Sequence, residues 1–250
     1  MAVNQPLDAM EETLLLTGRT QRHLVRWCDE AGECLLHRAI IAPLSTLREG
    51  AAAAGIRLCV ASGFRSFERQ LGIWNAKARG ERPVLDDCGR PCAWERLNER
   101  ERVHAILRWS ALPGASRHHW GTDFDVWDLA AVARDYPLRL EPEEYGPDGP
   151  FHRLAAWLDA ELGAVSGFAR PYDGTTGVAA EPWHLSYLPL AAGFERRLTP
   201  ALLRATLTAA DLELKEAVLA EIGEIHARFV VTSPVAPVAP VAPTALHRGE

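Results

Sequence analysis

Apolar residues recur along this chain with two periods. In "AIIAPLSTLREGAAAAG" they fall at helical spacing up to a glycine, which predicts a helix over Ala39–Gly55 with Gly55 as its C-terminal cap. "IRLCVAS" is apolar and β-prone and predicts a strand over Ile56–Ser62. "GFRS" reads as the turn that follows; Ser66 can cap a helix running to about Arg79, where Gly80 ends it. The loop "GERPVLDDCGRPC" leads to a predicted helix over "AWERLNERERVHAILRW", which has a dense charged face and is broken at Pro113 and Gly114. "TDFDVWD" alternates polar and apolar residues, so it predicts a strand with Asp123, Asp125 and Trp127 on one face. "LEPEEYGPDG" reads as loop, and "PFHRLAAWLDAELG" as an amphipathic helix with Pro150 near its start. "WHLSYLP" alternates again and predicts a strand. Helices are expected near Pro200–Thr208 and Leu212–Glu224, and "HARFVV" reads as a last strand. Short strands, helices of uneven length and the absence of a regular βαβ rhythm predict the α+β class, with an antiparallel sheet and flanking helices.

The pattern stops at Ser233. Val-Ala-Pro then repeats three times, and proline at every third residue favours extended polyproline II over a core. The expected organisation is one domain over 1–232, its first ~35 residues an N-terminal extension, with a disordered tail over 233–250. Composition fits that picture: of 250 residues, 48% are hydrophobic and 24% charged. A net charge of −6 and a pI near 5.9 argue against nucleic acid or an anionic membrane surface as the main partner. No stretch approaches the roughly 18–20 apolar residues of a membrane span. The start, "MAVNQPLDAMEETLLLTG", has neither the basic residues nor the apolar core of a signal peptide, so the expected location is cytoplasmic, with export by another route left open. An odd count of five cysteines agrees with a reducing compartment, and Cys88 and Cys92 of "CGRPC" read as two thiols in a surface loop.

Chemistry concentrates in "SRHHWGTDFDVWD", Ser116–Asp128. If the chain turns at Gly121, His118 at the loop end and Asp125 on the strand offer one nitrogen and one oxygen ligand. A catalytic zinc takes three protein ligands and keeps one position open. "EPWHLSY", Glu181–Tyr187, supplies the third, His184. Pro182 holds the intervening backbone extended, so Glu181 can reach over the strand end as a general base. Two alternating aspartates on one strand face are costly to bury unless something positive neutralises them. Asp123 could approach the metal or a substrate amine, or pair with a nearby arginine. Arg65 of "GFRS" stays charged at any working pH and suits either a scissile carbonyl or a terminal carboxylate. His119 is expected to pack, since it would face away from its ligand neighbour. Tyr187, Trp74, Trp109, Trp120 and Trp157 are core candidates, while Trp183 could wall the site.

"SRHHWGTDFD" and "EPWHLSY" resemble the two zinc-site signatures of the D-alanyl-D-alanine carboxypeptidases and dipeptidases of the VanY and VanX type, Ser-x-His-x-x-Gly-x-Ala-x-Asp and Glu-x-x-His. Ser116, His118, Gly121 and Asp125 fall on the first, Glu181 and His184 on the second. "SGFRSFERQ" matches an upstream segment of the same family through Ser62, Gly63, Phe64, Arg65, Ser66 and Gln70. The resemblance implies a hedgehog/D,D-peptidase-type zinc peptidase fold. It implies one Zn²⁺ on His118, Asp125 and His184, Glu181 as base, and a D-Ala-containing peptidoglycan stem peptide or fragment as substrate. Ser116, Gln70, Asp123 and Trp183 are weaker candidates for substrate contact. One position departs from the pattern: Asp123 stands where the signature has alanine. A long charged insert, "DDCGRPCAWERLNERER", precedes the first signature.

Two other readings are open at this level. One is a non-catalytic zinc-containing binding module of the same fold; Glu181 and Arg65 argue against it, because a binding module need not keep a base beside an open metal position. The other is an L,D- or endopeptidase acting on the same polymer. A serine or cysteine hydrolase lacks support, since no Gly-x-Ser-x-Gly elbow is present.

Overall fold

The computed structural model describes residues 8–86, 89–163 and 166–232. Cys88 and the Val-Ala-Pro tail lie outside them. The chain opens with α1 (Ala9–Leu16), a hairpin of β1 (Leu24–Asp29) and β2 (Gly32–His37), α2 (Ile41–Ala53), β3 (Leu58–Ser62) and α3 (Phe67–Ala78). Next come α4 (Glu99–Leu107), β4 (Asp123–Asp128), α5 (Pro142–Tyr145), α6 (His152–Glu161), β5 (Phe168–Ala169) and β6 (His184–Tyr187). The last helices are α7 (Leu188–Arg197), α8 (Pro200–Thr208), α9 (Lys215–Ala220) and α10 (Ile222–Ile225). The main sheet has four strands in the order β3-β4-β6-β5, every pair antiparallel. The α+β expectation holds.

Alternation along β4 sorts its side chains. Phe124 and Val126 join a core with Leu44 and Leu47 of α2 and Leu154 and Leu158 of α6. Asp123 and Asp125, also buried, face the other way. A second core gathers Leu16, Trp74, Val103, Trp120, Phe194, Leu203, Leu207 and Ile225 from the helices on that side. Burying one of the large side chains in such a core contributes roughly 1.5–3 kcal/mol.

Several local expectations are corrected. The charged helix before Pro113 is two pieces, a 3₁₀ turn over Trp94–Arg96 and α4, because Asn98 starts a new helix through a capping box with Glu101. The helix expected over Leu212–Glu224 divides into α9 and α10, with Leu214 in a left-handed conformation ahead of α9 (φ 59°). "HARFVV" is not a strand. His226–Val230 form a π-helical turn continuing α10, which buries Phe229 and Val230 in the helical core. Strand β6 ends at Tyr187, because Pro189 occupies the first turn of α7. The pattern also left α1, α7 and the β1–β2 hairpin unread. Among the described residues no helix is long and apolar enough to cross a membrane.

Candidate metal centre

Strand register builds the centre. Asp125 of β4 lies opposite His184 of β6, and Asp123 opposite Ser186. On the other side of β4, Ser62 pairs with Asp125 after an irregularity between Val60 and Ser62, which brings Gly63 beside His118. His118 sits in a short 3₁₀ helix, Arg117–Trp120. At three residues per turn, successive side chains there diverge by about 120°, so Arg117, His118 and His119 point to three different places. Gly121 closes that helix with φ 67°; a Cβ there would lie 2.5 Å from Leu24 Cδ2 and 2.9 Å from the His37 amide nitrogen. Glycine is therefore required for conformation and for space.

Ligand-type atoms of His118, Asp125 and His184 lie within 4.8 Å of one another, all in buried residues. His118 Nδ1 is 2.8 Å from the Gly63 carbonyl oxygen. A carbonyl can only accept, so the proton sits on Nδ1 and the Nε2 lone pair faces Asp125 Oδ2 at 3.5 Å. His184 has the opposite arrangement. Its Nε2 is 3.3 Å from Asp123 Oδ1, while its Nδ1 lies 3.4 Å from Asp125 Oδ1 and 3.3 Å from Glu181 Oε2. Asp125 Oδ1 is buried without a hydrogen bond, an expensive state for a carboxylate unless a cation completes it. Two imidazole nitrogens, an orphaned carboxylate oxygen and an adjacent second carboxylate make a donor set suited to zinc. Burial opposes charge on both sides of this set. It lifts the Asp125 carboxyl, yet His118, His184 and Arg65 together hold it below the usual carboxylate range. It lowers His184, yet Asp123, Glu181 and Asp125 outweigh it and raise the imidazole to about 9. The pocket is thus poised to hold positive charge.

Around these groups lies a cavity of about 200 Å³. Arg65, Ser116, Glu181 and Trp183 line it with His118, Asp125 and His184, and Trp109, Val178 and Phe229 supply apolar wall. Trp109, expected in the core, is only half-buried and lines the site instead. Gln70 does not line the cavity: it is buried, accepts from Arg65 Nη1 at 3.1 Å and donates to the Ala111 carbonyl at 2.7 Å, so it holds the guanidinium. Burial lowers Arg65 from its ordinary value, and Asp125 and Glu181 oppose that. Asp123, the other weaker candidate for substrate contact, also lies behind the cavity wall. It is fully buried, and its oxygens meet Arg117 Nε at 2.7 Å, Thr122 Oγ1 at 2.8 Å and His184.

Two residues acquire roles that local sequence did not suggest. His119 is buried, as expected, but it does more than pack. Its Nδ1 is 2.6 Å from the Arg65 carbonyl and its Nε2 accepts from the Gly114 amide at 3.0 Å, so it ties the Arg65 backbone to the loop before the 3₁₀ helix. Burial depresses this imidazole to about 3, which keeps it neutral. Tyr172 packs edge-on against His184 at 5.0 Å between centroids, and its carbonyl accepts from the Glu181 amide at 3.1 Å. No periodicity marks Tyr172; it lies in an irregular loop. The doubled histidine "HH" was a usable signal for His119.

Two uncharacterized proteins of Haemophilus influenzae are relatives of this chain. One is 32% identical over 123 residues, 48% of this chain and 93% of that protein. The other is 40% identical over 99 residues, 39% of this chain and 68% of that protein. Among solved structures, the vancomycin-resistance D,D-pentapeptidase VanY of the VanB-type cassette, in complex with Zn(II), is similar at 23% identity and a TM-score of 0.46, over 80% of this chain and 92% of that one. The LD-carboxypeptidase LdcB is similar at 22% identity and a TM-score of 0.44, over 73% and 68%. Residues 33–190, which hold all but the first residue of β2, the main sheet, and Arg65, His118, Asp125, Glu181 and His184, match the family described as VanY: D-alanyl-D-alanine carboxypeptidase, and the chain belongs to that family.

Proposed function

We propose that this protein is a zinc metallopeptidase that removes D-alanine from peptidoglycan stem peptides or their fragments. The observation that carries the reading is the convergence of His118 Nε2, Asp125 and His184 Nδ1, with the Glu181 carboxylate 3.3 Å from the last of them. These three side chains would hold one zinc ion, which when bound supplies Lewis acidity to a hydrolytic water. Glu181 lies at the cavity edge, close enough to accept the proton of that water and to return it to the leaving amine. Arg65 lines the same cavity and presents a fork of donors to the scissile carbonyl oxygen or to the terminal carboxylate. Gln70 and His119 keep that fork in place. A cavity of about 200 Å³ suits a small residue such as D-alanine better than a long side chain.

The test is mass spectrometry of products after incubating the zinc-loaded protein with stem peptides ending in D-Ala-D-Ala. Release of the terminal D-alanine, with about one zinc per chain that is lost in His118→Ala and His184→Ala, is the expected result. Internal cleavage or release from L,D bonds would transfer the reading to an endopeptidase or L,D-peptidase. A zinc-loaded protein that cleaves none of these peptides would instead be a binding module.

A further inference from the structure

Asp123 stands where the family signature has alanine, and it is the least exposed carboxylate among the described residues. It has no solvent exposure, and a lone carboxylate in that state would be costly. Three donors surround it: Arg117 Nε at 2.7 Å, Thr122 Oγ1 at 2.8 Å and His184 Nε2 at 3.3 Å. Arg117 is itself buried, with Nη1 on Glu195 at 2.5 Å and Nη2 on Ser186 Oγ at 2.7 Å, and its guanidinium lies 4.9 Å from the centroid of Trp120. Glu195 is fixed in turn by Thr232 Oγ1 at 2.8 Å.

The balance of charge matters. One guanidinium serves two carboxylates, Asp123 and Glu195, so the cluster as a whole stays negative on the side that meets His184. A core ion pair needed only for stability would not require that excess, nor a contact with an imidazole. Geometry supplies the rest. Asp123 and Asp125 are alternate residues of β4, and His184 comes from the facing strand, opposite Asp125, with its ring reaching both. One ring nitrogen meets Asp125 Oδ1 at 3.4 Å and the other meets Asp123 Oδ1 at 3.3 Å. A carboxylate can only accept, so Nε2, whose partner is Asp123, needs its proton, while at Nδ1 the carboxylates of Asp125 and Glu181 converge on a position that a cation, proton or metal, completes.

We infer that Asp123, clamped by Arg117, is the positioning residue of the ligand His184: it fixes the ring so that Nδ1 is offered to the metal and increases its donor strength through the hydrogen bond at Nε2. A carboxylate behind a ligating histidine acts in this way in general, and its loss costs about 10–100-fold in metal affinity. The inference rests on the zinc reading above and concerns only how the site holds the ion.

Zinc affinity should be measured by competition with a chromophoric chelator for wild type, Asp123→Asn and Asp123→Ala. The asparagine keeps an acceptor oxygen and loses the charge; the alanine removes both. The expected order is wild type, then Asp123→Asn, then Asp123→Ala, with a loss of about 10–100-fold at the end of the series. Should the alanine variant fail to fold, heteronuclear NMR of the histidine rings in zinc-loaded wild type decides the matter. His184 should be metallated at Nδ1 with a slowly exchanging proton on Nε2, and His118 should show the reverse. Wild-type affinity in both variants, or His184 bound through Nε2, would overturn the role of Asp123 while leaving the zinc site intact. Failure of the wild type to bind zinc would overturn both.

Discussion

At the scale of single residues, the centre depends on which atom of each side chain is free. His118 and His184 are chemically identical and turn different nitrogens to the centre, Nε2 and Nδ1, because the other nitrogen meets a backbone carbonyl in one and a buried aspartate in the other. Glu181 differs from Asp125 in the same way: Asp125 is enclosed between the two histidines, while Glu181 keeps some exposure at the cavity edge. An enclosed carboxylate can ligate, and an edge carboxylate can exchange protons with water and substrate. Glu181→Gln retains shape and removes the proton acceptor. It should bind zinc like wild type, fold normally and lose about 10²–10⁴-fold in peptide hydrolysis, equivalent to roughly 3–5 kcal/mol of transition-state stabilisation. Parallel assays of metal content and turnover check this; wild-type turnover would remove Glu181 from the mechanism.

At the scale of elements, the short 3₁₀ helix and the two strands that receive it do the assembling. The turn of Arg117–Trp120 sends three consecutive polar side chains to three separate tasks, and Gly121 lets the chain enter β4 directly afterwards. Gly121 also passes its carbonyl to the His37 amide at 2.8 Å, which ties the helix to the hairpin. A methyl group at this position meets both positive φ and backbone contact. Gly121→Ala should therefore lose about 1–3 kcal/mol of stability, and zinc affinity with it, since His118 is displaced. Denaturant unfolding and chelator competition on the same preparation measure the two effects. The alternation of "TDFDVWD" and "WHLSYLP" made β4 and β6 legible in the sequence, because one face of each is apolar core and the other is the centre. "HARFVV", read as a strand, is helical, since its apolar residues are used by the helical core rather than by a sheet.

At the scale of the whole molecule, two features lie away from the centre. A groove between α1, the hairpin and α7 is lined by Glu11, Arg19, Arg22, His23, His37 and Arg38. His23 and His37 stand 5.4 Å apart between ring centroids. Burial lowers each to about 4, Arg38 repels both, and His37 also repels His23. The ordinary value is 6.5, so between about pH 6.5 and 4 the unfolded chain binds more protons than the folded one. Their contribution is therefore constant above 6.5, falls as pH drops towards 4 and levels off below. The melting temperature should decline through that window, and His23→Phe should flatten the decline; an equal slope in the variant would assign the acid sensitivity elsewhere. At the other end, Thr232 is buried and bonded to Glu195. Truncation after Thr232 should leave the melting temperature nearly unchanged, because a Val-Ala-Pro repeat has little with which to build a core. Truncation before Phe229, which removes two buried core residues, should lower it by several degrees. Thermal melts of the two truncated chains distinguish these outcomes.

The sequence by itself determined the ingredients: the α+β class, the strand that carries Asp123 and Asp125, the three ligand types with a nearby acid, and Arg65 after a strand. These follow from local rules, since periodicity assigns a residue to a face and spacing assigns it to an end. Only the tertiary structure decided the partners. That Asp123 meets His184 and Arg117, that Gln70 grips Arg65 and that Tyr172 lies against His184 all depend on which strands and loops become neighbours. His184 and Asp123 are 61 residues apart, and the pairing of β4 with β6 brings them together. A face is written in the order of residues, but a hydrogen bond across that distance is created only when the sheet closes.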